Sequence, residues 1–116
     1  PIFVSGAQQT KGIDMAEREA LFQAVLDKSS SAVKARLEKG IDPNFTSLEG
    51  ATPLFMAALG GDLDTLLALL EAGADANAVT EHGVSPLFIA TQEGHLRCVE
   101  ALIAAGADID ADGRVL

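Results

Sequence analysis

The chain contains no tryptophan and no tyrosine, and five phenylalanines bring its aromatic share to only 4% of 116 residues. A core must therefore be assembled from Ala, Leu, Ile and Val at close spacing, which favours helices packed on helices. There is one cysteine, Cys98, so an internal disulfide is excluded, and an unpaired thiol points to a reducing, cytoplasmic compartment. Basic residues are scarce, with 8 Lys plus Arg against 17 Asp plus Glu and a net charge of −9. A field of that sign repels phosphate backbones and anionic lipid, so neither nucleic acid nor a membrane is expected as a partner. No apolar run approaches the roughly 18 residues needed to span a bilayer. Pro1-Ile2-Phe3-Val4 is too short, and lacks the charged flank, to read as a signal peptide. The length fits one domain with a modest core.

What the chain has in abundance is order at a fixed period. Residues 47–79, SLEGATPLFMAALGGDLDTLLALLEAGADANAV, and 80–112, TEHGVSPLFIATQEGHLRCVEALIAAGADIDAD, align without a gap at an offset of 33 residues. Gly50 meets Gly83, Pro53 meets Pro86, Leu54 meets Leu87, Gly61 meets Gly94, and Gly73-Ala74-Asp75 meets Gly106-Ala107-Asp108. The register continues backwards through 14–46 in Leu21, Phe22, Ala24, Val33, Leu37, Gly40, Asp42 and Asn44. That unit lacks the Thr-Pro and Gly punctuation and carries Arg18, Lys28, Lys34 and Arg36, as expected of a terminal repeat that faces water on one side. The organisation expected is a lead-in, 1–13, and a repeat domain, 14–116, with 113–116 the start of a further unit or a tail.

Each unit reads physically as helix, turn, helix and projecting loop. Thr52-Pro53 and Ser85-Pro86 place a hydroxyl cap before a first-turn proline, which starts a helix. Leu54, Ala57 and Ala58 recur at helical spacing, and Gly61 or Gly94 breaks the helix. A second helix carries Leu63, Leu66, Leu67 and Leu70, or Leu96, Val99, Leu102 and Ile103, and stops at Gly73 or Gly106. The Asp, Asn and Gly that follow favour turns.

TPLFMAA, SPLFIAT, the Gly-Ala-Asp after each second helix and the period together resemble ankyrin repeats, whose signature is T-P-L-H-x-A. The resemblance covers about 14–112 and implies an all-α solenoid of paired antiparallel helices with projecting loops, about three repeats with the first as amino-terminal cap. One departure is systematic: Phe22, Phe55 and Phe88 stand where the family usually has His. The family's His-to-loop tie is then expected to give way to apolar contact between successive rings. His95 sits where the family's second helix begins, and a capping role is expected of it.

Candidate chemistry is thin. His95 and Cys98, three residues apart, suit a zinc ligand pair, but no second pair exists to close a site. Asp108-Ile109-Asp110-Ala111-Asp112-Gly113 matches the opening of a calcium loop, yet Leu116 ends the sequence before the bidentate Glu such a loop requires. The first of these aspartates coincide with Asp75 and Asn77 of the preceding repeat, so the repeat loop accounts for them. There is no Ser in a strand-turn-helix elbow and no Gly-rich loop carrying a Lys. Neither a cofactor nor an enzymatic activity is expected.

The resemblance implies binding of a protein partner through the loop tips and the exposed side of the first helices, which line a concave face. The corresponding positions are Leu48, Glu49, Ala51, Leu59 and Gly60 in the second unit, and Glu81, His82, Val84, Gln92 and Glu93 in the third, beside Leu26 and Asp27 in the cap. Exposed Leu among carboxylates calls for a partner with an apolar patch rimmed by Lys or Arg. The competing reading is a structural or regulatory segment of a longer multi-repeat enzyme or effector. Leu87, Leu96, Val99 and Ile103 keep the apolar pattern of an internal repeat, so the carboxyl-terminal edge is expected to be covered. Its cover would be a second copy in a homo-oligomer, a docked partner or further repeats.

Overall fold

The computed structural model describes residues 15–47 and 50–109. These form six helices: α1 (Met15–Leu26), α2 (Ser30–Glu38), α3 (Pro53–Gly60), α4 (Leu63–Glu71), α5 (Pro86–Gln92) and α6 (Leu96–Ala104). The chain is an all-α repeat fold, with three helix pairs stacked in register.

The punctuation residues start and stop the helices as their chemistry requires. The Phe55 N–H donates to Thr52 Oγ1 at 3.1 Å and the Phe88 N–H to Ser85 Oγ at 3.0 Å. Each cap satisfies one orphan donor of a first turn and contributes about 1 kcal/mol. Helix α3 ends at Gly61, whose φ of +72° lies in the left-handed region. The matching position in the first unit is Lys28, which holds a φ of +58° despite its Cβ.

Inner helices α1, α3 and α5 pack side by side, and outer helices α2, α4 and α6 form a second layer behind them. One leucine per unit runs as a column through the inner layer: Leu21, Leu54 and Leu87 are 0%, 1% and 0% exposed. Burying each contributes about 2 kcal/mol of transfer free energy. Leu66, Leu69 and Leu102 fill the interior from the outer layer, while Leu67 faces solvent. In the first unit Arg36 occupies the register of Leu69 and Leu102 and pairs with Glu17 at 3.6 Å, which suits a unit with water on one side.

The open edge differs from the expectation in one respect. Leu87 is wholly buried because it turns back into the core, so it does not belong to the uncovered surface. Leu96 at 71% and Ile103 at 44% exposure do.

Candidate functional site

Two residues in each of the first two units lock neighbouring loops together. The Asp42 and Asp75 carboxylates accept the Asn44 and Asn77 N–H groups, each at 2.9 Å, which folds each Asp-x-Asn into a tight turn. The turned Asn amide then reaches the next unit. Asn44 Oδ1 accepts the Asp75 N–H at 2.7 Å while its Nδ2 donates to the Gly73 carbonyl at 3.0 Å. Asn77 repeats both bonds onto Asp108 and Gly106, at 2.7 and 3.2 Å. Both groups of a primary amide are satisfied, so relative placement of the loops is fixed by donor and acceptor geometry.

The projecting loops are closed by short backbone ladders. Thr80 N–H donates to the Val84 carbonyl at 2.9 Å, and Ser47 N–H to the Ala51 carbonyl at 2.8 Å. The Thr80 and Ser47 hydroxyls each accept a further N–H, from Val84 and Ala51, both at 3.2 Å. Adjacent loops touch at Gly50, where an added Cβ would lie 3.1 Å from Glu81 Cβ.

The expected binding residues divide into four groups. Glu81, His82, Gln92 and Glu93 are exposed, and Leu59, Gly60 and Val84 are half-buried; in the first unit Leu26 and Asp27 are exposed. Ala51 is buried at 8% exposure, because at the return of the loop its side chain turns inward, and it is no surface residue. Leu48 and Glu49 lie outside the described residues. Gly60 is half-covered by the Lys28 stem, whose Cε lies 3.3 Å from an added Cβ.

His95 acts differently from the cap expected of it. It occupies the position before α6 but its side chain caps nothing. Its Nε2 instead lies 3.1 Å from the Leu59 carbonyl of the preceding unit, a hydrogen bond in the tautomer that protonates Nε2. The imidazole lies on Gly61, with Nδ1 only 2.5 Å from where a Cβ would stand. Gly61 is therefore needed for its φ and for the space above it.

The aromatic ladder is also replaced. Among the described residues the ring pair is Phe22 with Phe45, tilted by 55° at 6.3 Å, with the Arg18 guanidinium 5.6 Å above Phe45. Phe55 is half-buried and Phe88 is exposed at 36%, and the ring pair lies within the first unit instead of running between successive units. Asn44 and Asn77 are repeat positions in the sequence, but their role in joining units, like that of the Leu59 carbonyl, shows only in the structure. The recurrence of Asp-x-Asn at one period is the signal that marks the first two.

Cys98 is buried at the register of Thr65, and burial, reinforced by the Asp62 carboxylate, pushes its thiol pKa up. A thiol held in that form is a poor metal ligand. No group of three His, Cys, Asp or Glu among the described residues is placed to hold a metal ion. Asp110 and Asp112 of the calcium-like sequence lie outside the described residues. No described helix is long and apolar enough to cross a membrane.

The family model described as ankyrin repeats in three copies matches residues 21–112. No curated protein matches the chain significantly. The match covers most of the chain and falls on the helix pairs, caps and loops described above, and the chain belongs to the ankyrin-repeat family.

Proposed function

We propose that this chain is a protein-binding module whose concave face takes a protein partner offering an apolar patch rimmed by Lys or Arg. Ankyrin repeats are in general protein-interaction modules, and the face is built from Leu59, Gly60, Glu81, His82, Val84, Gln92 and Glu93, continued by Leu26 and Asp27. Leu48 and Glu49 join it by register with Glu81 and His82. One observation carries the reading. At the ends of the inner helices the pairs Leu26-Asp27, Leu59-Gly60 and Gln92-Glu93 change character from unit to unit, while the leucine five residues before each pair stays the same and buried. Side chains released from packing are those a stack has free for recognition.

Carboxylates on this face, within a chain of charge −9, favour a basic rim on the partner. The lone buried thiol suits work in a reducing compartment such as the cytoplasm. Binding alone, without an enzymatic step, accounts for these features. Glu81→Lys and Glu93→Lys should slow association with the partner about tenfold or more, with an effect that shrinks as salt rises. Glu71→Lys on outer helix α4 should leave association unchanged, and an equal loss there overturns the assigned face.

A further inference from the structure

Comparing the second and third units at one register isolates the surface that a neighbour covers. Leu63 and Leu70 of α4 are packed against the core, whereas their counterparts on α6, Leu96 and Ile103, are 71% and 44% exposed. Ala76 is 7% exposed and its counterpart Ile109 43%. Leu96, the half-buried Val99 and Ile103 fall three and four residues apart, so they share one side of α6, and Ile109 follows in the segment after the helix.

The matching part of inner helix α5 is polar. Ala58, Leu59 and Gly60 become Thr91, Gln92 and Glu93, all three exposed, and the Thr91 hydroxyl is already satisfied by donating to the Leu87 carbonyl at 2.8 Å. On α5 the exposed large apolar side chain is Phe88 at 36%, so the apolar contact on offer lies mainly on α6. Its border is acidic: Glu93 on the side of α5, Glu100 between Leu96 and Ile103, and Asp108 beside Ile109 are exposed, against a single cation on α6, Arg97.

We infer that this edge docks a single amphipathic helix of a partner protein, with branched apolar residues at helical spacing and Lys or Arg on its flanks. The helix lies along α6, its apolar side on Leu96, Val99 and Ile103 and its cations over Glu100 and Asp108. A second copy of this chain is the poorer occupant. A two-fold pairing would set the same acidic border against itself between bodies that each carry −9. This surface meets the concave face at Glu93, and a partner can engage both at once.

The test uses the full chain and a synthetic helical peptide with Leu and Ile at i, i+3, i+4 and i+7 and Lys at the flanking positions. A scrambled peptide and one with Glu in place of Lys are the controls. Methyl resonances of Leu96, Val99, Ile103 and Ile109 should shift with the Lys peptide alone. Leu96→Ser and Ile103→Ser should each raise its Kd about tenfold or more, and Glu100→Lys should do so in low salt. Both leucine and isoleucine positions are exposed, so unchanged thermal melting verifies that the variants remain folded. No binding, equal binding of the scrambled peptide, or shifts confined to the concave face overturns the proposal. So does sedimentation showing that the chain alone pairs through Leu96, which would make a second copy the occupant, or protection of the Leu96 and Ile103 methyls by downstream sequence in the full reading frame, which would make a further repeat the occupant.

Discussion

Asn44 holds Asp75 across a repeat boundary, its Oδ1 accepting the Asp75 N–H at 2.7 Å while its Nδ2 donates to the neighbouring Gly73 carbonyl. Asp at this position keeps the acceptor and loses the donor, setting a carboxylate oxygen against a carbonyl. Asn44→Asp and Asn77→Asp should each destabilise the stack by about 1–2 kcal/mol. Chemical denaturation measures this, and unchanged midpoints for both would show that the amides do not join the units.

Gly61 and Gly94 share left-handed φ values of +72° and +79°, but an added Cβ meets the His95 ring at the first and nothing within 4 Å at the second. Gly94→Ala should cost about 1–2 kcal/mol, the backbone penalty alone. Gly61→Ala should cost visibly more, and the excess should vanish in a His95→Ala background, where the ring is gone. Equal costs at both glycines would mean that the ring moves aside freely.

Much of this architecture was legible because its signals are local. Thr52-Pro53 and Ser85-Pro86 announce caps that the structure makes, and Gly61, Gly73 and Gly106 take the positive φ their positions demand. What escaped depends on partners distant in sequence. The inward turn of Ala51, the bond from His95 to Leu59 and the pairing of Phe22 with Phe45 rather than with the next repeat's ring are decided by tertiary placement, on which a spacing rule is silent. The candidate face was read only by register, and register cannot tell an outward side chain from one folded beneath a loop.

Position within the stack, more than residue type, should decide what a leucine is worth. Leu66 is fully buried and Leu96 is 71% exposed, though both belong to outer helices. Leu66→Ala should cost about 2–5 kcal/mol through lost transfer and a residual cavity. Leu96→Ala should stay within about 0.5 kcal/mol. Comparable losses in thermal denaturation would show that the edge is covered in the isolated chain.

The raised pKa of Cys98 has a defined consequence for stability. The unfolded thiol ionises near its ordinary value of 9.0, while the folded one stays protonated to higher pH. Above that value the unfolded state binds fewer protons than the folded state, so stability present below it falls as pH climbs toward the folded pKa. Cys98→Ala, which has no such group, should flatten this alkaline decline relative to the parent chain when unfolding free energy is followed from neutral to alkaline pH. An identical slope in both would remove the thiol from the account.

A protein partner is expected to meet the concave face rather than the solvent side of outer helix α4. A photo-crosslinking amino acid placed singly at His82, at Gln92 and at Glu71, all exposed, reads this directly in cells expressing the chain. A discrete protein adduct is expected from His82 and Gln92 and none from Glu71. Adducts from Glu71 alone, or equally from all three positions, would contradict it.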